Sequence, residues 1–84
     1  MTSKAFTCAF VAEIERRAGA LGLSQSSLAR AAFSGVADPV GRWRKIRRQG
    51  QKTTLADAWE LARAVQVDVE TVVRVAKLEA TCRA

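Results

Sequence analysis

The sequence predicts a compact all-α domain built as a bundle of four to five helices. One proline and five glycines interrupt the 84 residues, so few positions would break a helix. Hydrophobic residues make up 49% of the chain, which is enough apolar material for one core. Apolar side chains also recur at helical spacing behind capping residues. We therefore expect a single domain over residues 1–84, with its core at about 5–78 and a tail at 79–84.

The first two helices are predicted from apolar periodicity and from the residues at their ends. Residues 4–21 carry apolar side chains at helical spacing, and Glu13 falls among the charged residues expected on the solvent side. Gly22 directly after this stretch is typical of a helix C-cap. Ser24 can cap a second helix that ends at residues 32–33. The buried stripe of that helix is expected at Leu28, Ala29 and Ala32.

A turn at residues 34–37 separates the second predicted helix from the third. Asp38 can accept hydrogen bonds from the free N–H groups of a helix start. Pro39 fits the first helical position, because the N–H that it lacks would be unpaired there. The third helix is therefore expected to run from Pro39 to about Arg48, and a polar segment follows it at residues 49–52.

The fourth and fifth helices follow from two further capping sites. Thr53 or Thr54 can cap the fourth helix, and we place Trp59 of that helix in the core because of its spacing from apolar neighbours. The apolar residues of the fourth helix are Leu55, Ala58, Trp59, Leu61, Ala62 and Val65. Asp68 can cap the fifth helix, whose valines are weak helix formers, so tertiary packing has to hold it.

Composition excludes several classes of function. The net charge of +6, from 14 Lys and Arg against 8 Asp and Glu, indicates a polyanionic partner, either nucleic acid or an acidic membrane surface. There is no histidine, and Cys8 and Cys82 lack partners at metal-ligand spacing, so we expect no metal and no cofactor. We expect Cys8 in the core and Cys82 exposed. No membrane span or signal-peptide pattern is present, which favours a cytoplasmic protein.

The basic residues concentrate in the third predicted helix. No acidic residue lies between Asp38 and Asp57. The basic residues in that interval are Arg42, Arg44, Lys45, Arg47, Arg48 and Lys52. On a helical wheel of about 100° per residue, Trp43 and Ile46 lie on one side and are expected to anchor the helix. Lys45 and Arg48 lie opposite, beside Gly41.

Two interpretations of this basic helix remain open. The major groove of DNA accepts an α-helix, and arginine or lysine can bind the O6 and N7 acceptors of guanine. Gly41 adds no side chain to the outward face, so the backbone could approach bases closely there. The alternative is that the basic run is only a solvated face. A membrane-bound helix is disfavoured, because its apolar side is narrow.

The segment Gly22-Leu23-Ser24-Gln25-Ser26-Ser27-Leu28-Ala29 resembles the helix-turn-helix motif of the Cro and phage-repressor (Xre) family. The stretch from Leu55 to Val67 is similar to a second motif of that family, and the two together cover about residues 10–75. The resemblance implies a lambda-repressor-like fold whose third helix enters the major groove of double-stranded DNA.

The resemblance also implies roles for individual residues. Ser24 and Gln25, at the start of the second helix, would bind phosphate together with the free N–H groups there. The positions that face base edges would be Val40, Gly41, Arg42, Arg44 and Lys45. The residues against the sugar-phosphate backbone would be Arg48, Gln49 and Lys52.

The chain departs from the family pattern in three places. Its turn at residues 34–37 is longer than usual. Arg47 stands where the family has a glutamate that pairs with an arginine of the first helix, so Arg47 either reaches phosphate or pairs with Glu13 or Glu60. The basic third helix predicts either guanine-rich readout or a larger share of nonspecific phosphate affinity.

These observations predict a sequence-specific DNA-binding transcriptional regulator, a repressor of phage or mobile-element type, that acts as a homodimer. The dimer contact is expected on the fifth helix at Val69, Val72, Val73 and Ala76. The alternative is that these residues only close the core. The alternative function is a protein-interaction module on the same fold, such as an antitoxin-like or anti-repressor partner. An enzyme is not expected, because no histidine, tyrosine or glycine-rich phosphate loop is present.

Overall fold

Five helices follow one another along residues 2–48 and 52–82, the part of the chain that this computed structural model describes. They are α1 (Ser3–Ala20), α2 (Gln25–Ala32), α3 (Pro39–Arg47), α4 (Leu55–Ala64) and α5 (Val69–Cys82). These residues contain no strand, which confirms the predicted all-α class. None of the helices is both long enough and apolar enough to cross a membrane.

The predicted helix starts are confirmed by the hydrogen bonds that cap them. The Ser27 N–H donates to the Ser24 hydroxyl at 3.1 Å at the start of α2. The Gly41 N–H donates to Asp38 Oδ1 at 3.0 Å at the start of α3, and Pro39 occupies the first turn of that helix. Each cap satisfies a backbone donor that has no partner inside its helix.

Two helices end in a Schellman motif, in which a left-handed residue reverses the chain. Gly22 after α1 has a φ of +75°, and the Leu23 N–H donates to the Ala18 carbonyl at 2.9 Å, which confirms the predicted C-cap. Gln66 takes the same place after α4 with a φ of +61°, and the Val67 N–H donates to a carbonyl of α4. A side chain in this conformation is strained, because its Cβ crowds the backbone.

All five helices contribute side chains to the core. Its largest fully buried side chains are Trp43, Ile14, Leu28, Ile46, Leu61 and Val72. Helix α5 packs mainly on α1, while α2 packs against both α3 and α4. Helix α5 also continues through residues 79–82, where the sequence suggested a tail, and Ala80 is buried.

The dimer contact predicted on α5 is wrong for two of its residues. Val72 and Ala76 are fully buried within the monomer. They lie on the side of α5 that covers α1, so they close the core, as the alternative interpretation proposed. Val73 remains partly exposed, and Val69 is half-buried beside the core.

The predicted burial of Trp59 is also wrong, since 59% of its surface is exposed. The buried side of α4 is set by Leu61 and Ala62, with Asp57 facing inward one turn earlier. Trp59 therefore falls on the opposite side of the helix, as does Leu55 at its start, which is 85% exposed.

Glu13 is a third correction, because it is buried and does not face solvent. Its carboxylate forms ion pairs with Arg16 and Arg17 along the same helix. A buried carboxylate requires such partners to offset its lost hydration. Of the two cysteines, Cys8 is only partly buried, and Cys82 is exposed as predicted.

Candidate nucleic-acid interface

Helix α3 is attached to the domain by the two residues that the sequence selected. Trp43 and Ile46 are both fully buried. The Trp43 indole N–H donates to Gln25 Oε1, and Gln25 Nε2 donates to Glu15 Oε2 at 3.2 Å. Gln25, the residue predicted to bind phosphate, therefore connects α3 to α1 across the start of α2. Its amide already has a protein partner on each side.

The outer side of α3 is an exposed basic surface. We name it the basic face, and its residues are Arg44, Lys45, Arg47 and Arg48. Within residues 2–48 and 52–82, none of these side chains has an acidic group within 4.0 Å. The basic face therefore holds like charges that repel each other along the helix and lack neutralising partners.

Arg47 forms neither of the ion pairs considered for it. Glu13 pairs with arginines of α1, and Glu60 pairs with Arg63 at 2.9 Å. Because both carboxylates already have partners, Arg47 extends toward solvent at the end of α3.

Arg42 differs from the other arginines of α3. Its Nη2 and Nε lie 2.6 and 3.2 Å from Asp57 Oδ1, and its guanidinium carbon is 5.5 Å from the centroid of the Phe33 ring. The ring face attracts the cation while the carboxylate neutralises it. The side chain that was predicted to reach a base is thus directed toward α4 and away from the basic face.

Asp57 is buried at the point where α3 and α4 meet, with only 4% of its surface exposed. Its Oδ2 accepts the Thr54 N–H at 3.0 Å, and its own N–H donates to Thr54 Oγ1 at 3.1 Å, which forms a capping box. Burial alone would raise the pKa of Asp57, but hydrogen bonds from Arg42 and Thr54 and the charge of Arg42 hold it below its ordinary value.

The first turn of α3 is shaped by its cap. A Cβ on Gly41 would lie 2.1 Å from Asp38 Oδ2, so the capping carboxylate occupies the space that a side chain would need. Glycine at this position therefore has a structural cause that is independent of any ligand. Val40 is half-buried and packs against the core, so it contributes to anchoring α3.

The remaining predicted phosphate contacts flank α3. The Ser24 hydroxyl is engaged by its cap and also donates to Ser27 Oγ at 3.0 Å. Lys52 is exposed, whereas Gln49 lies outside the described residues. Sequence reasoning did not single out Asp57. The spacing of Thr54 and Asp57 matches a capping box and could have located it, but no local signal pairs it with Arg42.

A second surface, along α4 and α5, carries apolar side chains among polar ones. Leu55 and Val73 line a cleft of about 200 Å³, and Trp59 and Val69 line a neighbouring cleft of about 230 Å³. Each helix contributes two of these residues, one turn apart. We name these four residues the apolar seam.

Comparison with known proteins finds no matching family model, no matching curated protein and no matching solved structure. Among the described residues, no group of three or more His, Cys, Asp or Glu side chains comes together at a distance suited to a metal ion.

Proposed function

We propose that this protein binds duplex DNA through the basic face of α3 and acts as a transcriptional regulator of the Xre helix-turn-helix type. The observation that carries the proposal is the set of four exposed cations on one side of a short helix, without acidic partners among the described residues. Phosphate groups would neutralise this charge, and binding would release condensed counterions.

The geometry of α3 supports a helix that enters the major groove. Its inner side is held by Trp43 and Ile46, so the outer side is available along the whole helix. Lys45 and Arg48 extend furthest from the core by helical position, and either can donate to guanine O6 and N7. Arg44 and Arg47 lie together on one side of this pair and are suited to the phosphates along one edge of the groove.

Salt dependence of binding tests the proposal most directly. Fluorescence anisotropy with labelled duplex DNA would measure the dissociation constant at several salt concentrations, for the wild type and for Arg44→Ala. If Arg44 binds a phosphate, the slope of log affinity against log salt should become about 0.9 shallower. The control is Arg74→Ala on α5, an exposed arginine whose loss changes the net charge equally.

Selection of bound sites from random duplex DNA would then separate specific from nonspecific binding. Enrichment of a two-fold symmetric site would support a regulator, and guanines in it would support readout by the basic face. A wild-type protein whose binding to DNA is absent or independent of salt would refute the proposal. That outcome would favour the interaction-module alternative.

We further propose that a second copy of this chain covers the apolar seam. Leu55 and Trp59 are 85% and 59% exposed and adjacent on α4, and a domain of this size seldom leaves such a surface in water. A two-fold dimer would bring two α3 helices to one DNA site. The dimer would then contact more base pairs than a single nine-residue helix can.

The oligomeric state tests this contact. Sedimentation should show a concentration-dependent dimer, and Trp59→Gln should shift the equilibrium toward monomer. Leu78→Gln is the matched control, because Leu78 is 62% exposed on α5 and lines neither cleft. A wild type that binds DNA as a monomer at every concentration would refute the dimer without affecting the assignment of the basic face.

A further inference from the structure

Arg42 and Asp57 form an ion pair that links α3 to α4. The proposed binding of DNA by the basic face assigns no role to this link. We propose that this link sets the rotation of α3 about its own axis, so that Arg42 and Asp57 are positioning residues for DNA recognition. The inference rests on the proposed DNA-binding function and assigns control of that site to two side chains that do not contact the DNA.

The first support is that the two carboxylate oxygens of Asp57 accept hydrogen bonds from different partners. Oδ1 accepts from Arg42, while Oδ2 accepts the Thr54 N–H that begins α4. One buried carboxylate thus joins Arg42, the fourth residue of α3, to the first turn of α4. A change in the orientation of α3 would break an ion pair that lies largely out of water, where its loss is costly.

The second support is that Arg42 has two partners. Its guanidinium pairs with Asp57 and also lies over the ring of Phe33, the buried residue that caps the end of α2. The neighbouring Trp43 is attached to Gln25 at the start of α2. These two attachments are about 100° apart around α3, so together they oppose its rotation in either direction.

Rotation of α3 is the variable that matters for recognition. The rotation of α3 about its axis decides which of its side chains point away from the domain and can enter the groove. A rotation that moved Lys45 and Arg48 sideways would leave the total charge unchanged but would displace their donors from the base edges. We therefore expect the link to affect specific binding more strongly than nonspecific binding.

Removing Asp57 distinguishes positioning from simple electrostatics, because the two effects have opposite signs. Near a polyanion, the loss of a negative charge should strengthen binding. Loss of the link should instead weaken binding to the preferred site. With Asp57→Asn, we expect affinity for the selected site to fall about tenfold. Affinity for unrelated DNA should stay equal or rise slightly.

Thr54→Ala is the matched control for stability. It removes the hydroxyl that accepts the Asp57 N–H, but leaves the pair between Asp57 and Arg42 in place. Urea denaturation of both variants would establish how far each is destabilised. We expect the ratio of specific to nonspecific affinity to be retained in Thr54→Ala and lost in Asp57→Asn.

A measurement without DNA keeps this inference separate from the proposed function. Hydrogen exchange of the Trp43 indole N–H, followed by NMR, reports on how firmly α3 is held. In Asp57→Asn, we expect this N–H to exchange faster than the measured loss of global stability predicts. In Thr54→Ala, we expect the increase in exchange rate to match the loss of global stability. If the wild type binds no DNA, the proposed function fails, and this exchange still decides whether the link holds α3.

Two results would overturn the inference. One is that Asp57→Asn binds the selected site as tightly as the wild type or more tightly, which would make Asp57 only an unfavourable charge near DNA. The other is that exchange of the Trp43 indole N–H follows global stability equally in both variants.

Discussion

Gly41→Ala tests whether glycine is required at the start of α3 by the helix cap or by a ligand. The added Cβ would lie 2.1 Å from Asp38 Oδ2 and 2.7 Å from its Cγ, so the carboxylate must rotate away. Rotation breaks the 3.0 Å hydrogen bond from the Gly41 N–H, and losing an N-cap costs about 1 kcal/mol. Alanine recovers about 1 kcal/mol by its higher helix propensity. The net change in the free energy of unfolding should therefore be near zero.

The same substitution should behave differently when the cap is already absent. In an Asp38→Ala background, Gly41→Ala should stabilise the protein by about 1 kcal/mol, because only the propensity difference remains. Urea denaturation of the four proteins in this double-mutant cycle measures the coupling between the two positions. Equal effects of Gly41→Ala in both backgrounds would refute this reasoning. DNA titration of the same proteins would show whether a methyl group at residue 41 also obstructs a ligand.

Three further outcomes are expected. Gln66→Gly should raise the free energy of unfolding by about 1 kcal/mol, because Gln66 has a φ of +61°, and calorimetry should show no such gain for Gln66→Ala. Since the folded-state pKa of Asp57 is lowered from the ordinary value of 3.8, its contribution to stability is complete above that ordinary pKa and is lost as the pH falls through the lower, folded-state value. In acid unfolding experiments, the free energy of unfolding should therefore fall less steeply with decreasing pH for Asp57→Asn than for the wild type. Leu61→Ala should cost about 2–5 kcal/mol in urea denaturation, whereas Leu78→Ala, at an exposed position of α5 outside the apolar seam, should change stability by less than about 0.5 kcal/mol.

The helix boundaries could be predicted because their signals are local. Ser24 and Asp38 each accept a hydrogen bond from an N–H three residues away, and Gly22 adopts the left-handed conformation that ends α1. Such contacts form within one turn of chain and depend little on what packs around them. The anchoring of α3 by Trp43 and Ile46 was equally accessible, because a short helix with a single narrow apolar side can rest on the domain in only one way.

The buried side of α4 could not be predicted from the sequence in the same way. Its apolar residues occupy most of its circumference, from Leu55 and Trp59 on one side to Leu61 and Ala62 on the other. Periodicity alone then selects no buried face, and the choice depends on which neighbouring helix covers which side. The burial of Glu13 follows the same principle: its i+3 and i+4 spacing from Arg16 and Arg17 is visible in the sequence, but the covering of that side of α1 is not.

The sequence by itself determined that positive charge is concentrated on α3, because no acidic residue interrupts the chain between Asp38 and Asp57. Only the tertiary structure decided which of these cations is neutralised by an ion pair and which remain on the basic face. Asp57 is 15 positions from Arg42 along the chain, and folding brings its carboxylate within 2.6 Å of the Arg42 guanidinium. An ion pair across that separation depends on how α3 and α4 pack, so it neutralises one arginine and leaves the basic face charged.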